Sequence, residues 1–141
     1  MIDILQGIQS TGAALKAEST RLDVISENIA NAQTTRGPDG KPYQRQVVVF
    51  ETSLQKAIDG SNGASPSLIG ARVQKDSRPP IKVYRPGHPD ADASGMVSMP
   101  DVNVHEEMAD MIAASRAFEA NLAVVKNARN MAMATLAIGK K

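Results

Sequence analysis

Three potential metal ligands occur at alternate positions in the run His88-Pro89-Asp90-Ala91-Asp92. One imidazole and two carboxylates would suit a divalent cation. Pro86 and Pro89 stiffen this loop equally well without an ion, however, and aspartate is common in turns. We therefore expect no metal site, and we interpret the surrounding stretch 85–100 as a rigid docking loop that presents charge to a partner. Its predicted docking residues are Pro86, Gly87, His88, Pro89, Asp90 and Asp92.

Other familiar chemistry is missing from the sequence. There is no cysteine, which excludes disulfides, thiolate catalysis and cysteine-bound metal. No Ser-His-Asp arrangement, phosphate-binding loop or nucleotide fingerprint appears, so we expect no catalytic residues and no cofactor. The 16 basic and 15 acidic side chains give a net charge of +1, without a basic cluster among aromatics. Nucleic acid is therefore not an expected partner.

The start of the chain lacks the features of a targeting segment. Met1-Ile2-Asp3-Ile4 carries an acid where a signal peptide would be basic, and no apolar run of about 7–15 residues follows. The sequence also has no run of about 18 apolar residues. We expect neither a cleaved secretory signal nor direct membrane insertion.

The elements that must position any functional residue begin with a helix over residues 2–31. This segment has no proline, and its apolar residues recur at helical spacing. Written as heptads, one position of the predicted seam holds Ile8, Leu15, Leu22 and Ile29. The other holds Ile4, Thr11, Glu18, Ile25 and Ala32.

A second long helix is predicted over residues 103–138, which contain neither glycine nor proline. Asp101 or Asn103 would cap its start, Glu106 and Glu107 place acid in its first turn, and Gly139 would end it. Its predicted seam has Val104, Met111, Phe118, Val125 and Ala132 at one heptad position. The other holds Met108, Ser115, Leu122, Arg129 and Leu136.

Turns and short strands are expected between the helices. Residues 34–42 form a loop, 46–51 a strand, 54–58 a short helical turn, and 60–66 a flexible loop. The alternating runs 71–74 and 81–84 predict a small antiparallel unit, and 95–98 a last strand.

The composition predicts a small core. Apolar residues make up 42% of the chain, but only two phenylalanines, two tyrosines and no tryptophan are present. The predicted fold is mainly α, with two long terminal heptad helices packed as an antiparallel coiled-coil-like pair around a small β-rich or irregular insertion. The expected divisions are an N-terminal helix at 1–33, the insertion at 34–100 and a C-terminal helix at 101–141.

Three ordered motifs resemble a known family. Residues 26–34, with Asn28, Ile29, Ala30, Asn31 and Thr34, are similar to the N-terminal motif of bacterial flagellar rod and hook proteins. The stretch 102–121 resembles the helix that ends these axial proteins. The loop 86–92, followed by Gly95 and Pro100, resembles that of the proximal-rod members.

The resemblance implies a structural subunit of the flagellar basal-body rod, the drive shaft that transmits motor torque to the hook. It implies export through the flagellar type III apparatus without cleavage, a place in the rod across the periplasm, and assembly with copies of itself and other rod proteins. The terminal helices would form the rod core. The expected packing residues there are Ile4, Ile8, Leu15, Leu22, Ile25, Ile29, Met108, Met111, Phe118, Leu122, Val125 and Leu136.

Two other classes of function remain open from the residues alone. A soluble helical adaptor or export-associated binding protein would share the heptads but lack the paired terminal motifs. A small metal-dependent enzyme using His88, Asp90 and Asp92 would need a pocket that so few aromatic residues can hardly enclose.

Overall fold

In the computed structural model, which describes residues 2–53 and 67–138 and the side chains of 7–50 and 70–138, a helix stands at each end of the chain. Helix α1 spans Ile2–Ala30 and helix α2 spans Val104–Ile138. Four strands lie between them: β1 (Gln46–Ser53), β2 (Ser67–Lys75), β3 (Ile81–Tyr84) and β4 (Met96–Met99). The prediction of two helices around a small antiparallel β insertion is confirmed.

Asn103, one of the two residues predicted to cap the start of α2, does so. The side-chain oxygen of Asn103 accepts a hydrogen bond from the backbone amide of His105 at 3.1 Å. This bond satisfies one of the four amides that a helix N-terminus leaves without a partner inside the helix. Gly139, the predicted end of the helix, lies outside the described residues.

The strands form two separate antiparallel pairs, β1 with β2 and β3 with β4. The predicted strands at 46–51, 71–74, 81–84 and 95–98 all exist, but the prediction that 71–74 pairs with 81–84 is wrong. Pro79 and Pro80 between these runs have no amide proton to donate. The chain instead leaves the first sheet at Asp76, whose amide donates to the carbonyl oxygen of Arg45 at 2.8 Å. The helical turn predicted at 54–58 and the flexible loop at 60–66 lie outside the described residues.

The apolar core of the described part is small, as the composition predicts. Its buried members are Ala17, Val24, Ile25, Val97, Met99 and Ala114. Helices α1 and α2 pack against each other, and α1 also contacts both strands of the first sheet. Because alanines lie in the helix contact, the two backbones can approach closely.

Within one chain, the row of α2 that faces α1 differs from the predicted seam. At one heptad position, Met111, Phe118 and Val125 are half-buried, while Val104 is 37% exposed. The other position of the contact is occupied by Glu107 and Ala114, which are 1% and 0% exposed. Three predicted packing residues lie outside the contact, with exposed fractions of 52% for Met108, 52% for Leu122 and 67% for Leu136. A large side chain at position 114 would hold the backbones apart where alanine lets them meet.

Candidate functional site

Asn28, from the N-terminal motif, lies at a buried junction between the helices and the first sheet. Its side chain is 1% exposed and uses all of its hydrogen-bonding capacity. Nδ2 donates to the carbonyl oxygen of Gln46 at 2.8 Å and to Oε2 of Glu107 at 3.0 Å. Oδ1 accepts from the backbone amide of Gln46 and from the hydroxyl of Tyr43, both at 2.9 Å. One side chain therefore ties α1 to both β1 and α2.

The carboxylate of Glu107 is the charged member of this junction. It is 1% exposed, and its Oε1 accepts from Nε of Arg45 at 2.6 Å. A buried carboxylate is tolerated when it is paired and hydrogen bonded, and both Glu107 oxygens have partners here. Its position in the first turn of α2 also places negative charge near the positive end of the helix dipole.

Arg45 extends the network to Asp76, the residue that follows β2. Its Nη1 lies 3.2 Å from Oδ2 of Asp76, which also accepts from Nε of Arg78 at 2.8 Å. Burial by itself would lower the pKa of Arg45, but its bonds to Glu107 and Asp76 raise it overall. The pKa of Asp76 is lowered, mainly by the hydrogen bond from the side chain of Arg78 and against the opposing effect of burial.

Tyr43 closes the junction on the side of the loop before β1. Its hydroxyl donates to Asn28 and also accepts from Nε2 of Gln46 at 3.2 Å. Burial raises the pKa of Tyr43, so the phenol keeps its proton and remains a donor. The junction as a whole holds α1, α2 and the first sheet in one arrangement. Because these groups are paired with one another, they position structural elements and leave no unpaired nucleophile or general base among them.

The rest of the N-terminal motif forms the turn that follows α1. The Asn31 side chain donates to the carbonyl oxygen of Glu27 at 2.9 Å, and the Thr34 hydroxyl donates to Oδ1 of Asn31 at 3.2 Å. The carbonyl oxygen of Thr34 then accepts from the amide of Tyr43 at 3.1 Å. Ile29 is half-buried and Ala30 is exposed. The turn leads the chain back to Tyr43, beside Asn28.

The predicted docking loop connects β3 to β4, and both of its aspartates have partners within the chain. Asp90 accepts from the Thr35 hydroxyl at 2.8 Å and lies 3.3 Å from Nη2 of Arg36. Asp92 accepts from the amides of Ser94 and Met96 at 2.8 and 3.0 Å. These backbone bonds, with the Met96 bond the largest contribution, lower the pKa of Asp92. Docking of this loop onto another subunit stays a prediction.

The remaining docking-loop residues shape the loop itself. Nδ1 of His88 accepts from the amide of Asp90 at 3.1 Å, while Pro86, Gly87 and Pro89 are exposed. In the part of the chain that the structure describes, no group of three or more histidine or acidic side chains is arranged to hold a metal ion. Nor does any described helix combine the length and the apolar character needed to cross a membrane.

The predicted packing residues of α1 all lie on the helix. Ile25 is buried at 5% exposure, and Ile8, Leu15, Leu22 and Ile29 are half-buried. The side chain of Ile4 lies outside the described residues.

Sequence reasoning missed Arg45 and Asp76, and it interpreted Glu107 only as an acid favoured by the helix dipole. The partners are distant in the sequence: 62 residues separate Arg45 from Glu107, and 79 separate Asn28 from Glu107. No local period or spacing relates such positions. The sequence contained two signals. Asn28 is a polar residue that interrupts the apolar face of α1, and Glu106 and Glu107 are consecutive acids at the start of α2.

Comparison with protein-family models gives a match at each end of the chain. Residues 8–38 match the model described as "Flagella basal body rod protein". Residues 93–138 match "Flagellar basal body rod FlgEFG protein C-terminal". The two matches include Asn28 and Glu107, respectively.

Individual proteins are similar over nearly the whole chain. The chain is 41% identical to flagellar basal-body rod protein FlgC of Borreliella burgdorferi, covering 93% of each protein. It is 40% identical to FlgC of Salmonella typhimurium, covering 92% of each. With FlgC of Bacillus subtilis the identity is 33%, over 92% of this chain and 94% of the relative.

Proposed function

This chain belongs to the family of bacterial flagellar basal-body rod proteins, structural subunits of the rod, and on that premise we propose that it builds the proximal rod with its two terminal helices as the core. In this role it transmits motor torque to the hook as part of the drive shaft. It works by packing rather than by catalysis.

The observation that carries this proposal is the amount of large apolar surface left on α2. An α-helix turns by about 100° per residue, which places Met108, Ile112 and Met133 on one side of the row that faces α1. Val124, Met131 and Ile138 lie on the other side. All six side chains are between 52% and 79% exposed. Large apolar side chains exposed on both sides of a packed row typically mark contacts with other proteins, so α2 requires neighbours beyond α1.

An antiparallel, coiled-coil-like arrangement of the terminal helices is part of the proposal. Two contacts support it: Asn28 meets Glu107, and Arg21 lies 3.7 Å from Asp110. From the first contact to the second, the residue number on α1 falls from 28 to 21 while the number on α2 rises from 107 to 110. This is the order expected of antiparallel helices. We propose that Met108, Leu122 and Leu136, which α1 leaves exposed, pack against other rod subunits.

The proposed partners are copies of this chain, other proximal and distal rod proteins, and the flagellar type III export apparatus during delivery. We place the chain in the basal body, within the part of the rod that crosses the periplasm, after export without removal of a signal peptide. The insertion at 34–100 would lie outside the helical core, with the junction around Asn28 holding it in a set orientation.

The test is incorporation into the rod. A strain lacking the gene is complemented with the wild-type chain, with Leu122→Asp, or with Asn127→Asp as a matched exposed control on α2. Basal bodies are purified, and their content of the chain is measured by mass spectrometry together with motility.

We expect the wild type and Asn127→Asp to be incorporated. Leu122→Asp should fold but stay out of the rod, because it places a charge in an apolar contact between subunits. Absence of the wild-type chain from purified basal bodies would reject the proposal and favour a helical adaptor that acts during export.

A further inference from the structure

One edge of β1 presents backbone groups away from β2. At the start of the strand, the carbonyl oxygen of Arg45 accepts from Asp76, whereas the amide and carbonyl of Gln46 turn to the opposite side and bond the Asn28 side chain. Backbone groups alternate with a period of two in an antiparallel pair. The amides and carbonyls of Val48 and Phe50 therefore lie on the same edge as those of Gln46.

Among the residues that the structure describes, none pairs with this edge beyond Gln46. Within the described residues, β1 has only β2 as a strand neighbour, and no hydrogen bond reaches the outward groups of Val48. Natural proteins usually protect such an edge with charged residues or proline, because unpaired backbone groups are a template for another strand. The run Gln46–Phe50 contains neither, and three consecutive valines and a phenylalanine give it high strand propensity.

A groove of about 250 Å³ lies beside the edge. Its walls include Val24 and Ile25 of α1 and Val48 and Phe50 of β1. Phe50 is 41% exposed, so part of this apolar surface is available to a partner. The volume corresponds to roughly eight water molecules, enough space for a short stretch of peptide beside the strand.

The charges lining the groove are already paired. Arg21 lies 3.7 Å from Asp110, and Arg45 binds Glu107 at 2.6 Å. The groove therefore offers unpaired backbone groups and apolar walls but no excess of either charge. An uncharged segment in an extended conformation suits these features better than an acidic or basic one.

We propose that an extended, uncharged segment of a neighbouring rod subunit adds to the free edge of β1 along Val48 and Phe50. The Asn28 amide occupies the first position of this additional strand at Gln46, and the incoming backbone continues from there. Backbone hydrogen bonds supply affinity, and the groove accepts alternate side chains of the incoming segment. This inference rests on the proposed function, since the rod supplies the neighbour.

The first test is Val48→Pro. The amide of Val48 points away from β2, so proline removes no hydrogen bond of the β1–β2 pair and blocks only the outer edge. Val73→Pro is the matched control, because Val73 faces Val48 across the pair and its amide points out of the opposite edge. We expect Val48→Pro to lower the amount of chain in purified basal bodies by about tenfold and Val73→Pro by less than about twofold. Equal incorporation of the two variants would overturn the proposal.

Hydrogen exchange on the wild-type chain gives a second measurement that does not depend on the fold of a variant. The amides of Val48 and Phe50 should exchange more slowly in purified basal bodies than in the isolated chain. Unchanged exchange would overturn the inference, as would full protection in the isolated chain, which would mean that its own residues cover the edge. If the chain is in the basal body but the edge is unprotected, only this inference fails. If the chain is missing from the basal body, the proposed function fails.

Discussion

The side chain of Asn28 pairs with the backbone of Gln46 as a neighbouring strand would, donating to its carbonyl oxygen at 2.8 Å and accepting from its amide at 2.9 Å. The same amide nitrogen donates to Glu107. A residue on the first helix thus fixes both the start of the sheet and the start of the second helix, which makes its chemical identity testable.

Asn28→Asp should destabilise the chain by about 3–5 kcal/mol, because it replaces the donating amide with a second buried carboxylate beside Glu107, whose charge is already paired with the guanidinium of Arg45. The measurement is the free energy of unfolding in urea. Asn127→Asp makes the same chemical change at an exposed site of α2 and should stay within about 0.5 kcal/mol of the wild type. Similar losses in both variants would show that the junction does not depend on the amide.

Arg45 and Glu107 should behave as a coupled pair. Glu107→Met alone leaves the guanidinium of Arg45 largely buried with only Asp76 opposite it, and should cost about 3–5 kcal/mol. Adding Arg45→Met should recover part of this loss, giving a coupling free energy of about 1–3 kcal/mol in a double-mutant cycle. Glu106→Met, at the exposed neighbouring position, is the control for helix propensity. If the losses in the free energy of unfolding of the two single variants simply add in the double variant, the proposed network is contradicted.

The contact between the helices should be sensitive to side-chain volume at Ala114. This residue is 0% exposed, so Ala114→Leu inserts three carbons into a packed contact and should cost about 1–3 kcal/mol. The adjacent Ala113 is exposed, and Ala113→Leu should change stability by less than about 0.5 kcal/mol. Thermal unfolding followed by circular dichroism measures both. A larger loss for Ala113→Leu would place the α1–α2 contact on a different row of α2.

Gly95 should not tolerate a side chain. Its φ is +76°, and a Cβ would lie 2.9 Å from Cε2 of Tyr84 and 3.1 Å from Cβ of Pro86. Gly95→Ala should therefore lower the free energy of unfolding by about 1–3 kcal/mol. Gly87 lies in the same loop with open space around it and no positive φ, so Gly87→Ala should be nearly neutral. Comparable unfolding midpoints in urea for the two variants would contradict this account of the β3–β4 turn.

Asp76 should contribute to stability in a pH-dependent way. Its folded pKa is lowered below the ordinary value of 3.8, chiefly by Arg78, so the ionised form is favoured by folding. The contribution is complete above pH values near 3.8 and is lost as the pH falls through the lower folded pKa. Asp76→Asn should flatten the acid side of the stability profile measured by urea unfolding between pH 2 and 7. An unchanged slope below pH 4 would rule out this role.

The amino-acid sequence determined the two long helices, the four short strands and the family of the chain. Each of these depends on local order: apolar residues at helical spacing, β-branched runs between prolines and glycines, and motifs of a few consecutive residues. Residues 103–138 contain no helix-breaking residue, so helix α2 could be predicted without knowing what packs on it.

Only the tertiary structure decided which strands pair, which row of α2 meets α1, and what Asn28 does. The runs at 71–74 and 81–84 alternate in the same way and lie close in sequence, but the alternation cannot specify a partner, and they pair with β1 and β4 instead. Heptad spacing similarly allowed either Met108 or Glu107 beside Val104. The structure places Glu107 in the contact because Arg45 and Asn28, brought near by the fold, neutralise and hydrogen bond its carboxylate. A buried charge depends on partners that are distant in the sequence, so its burial is a property of the folded chain.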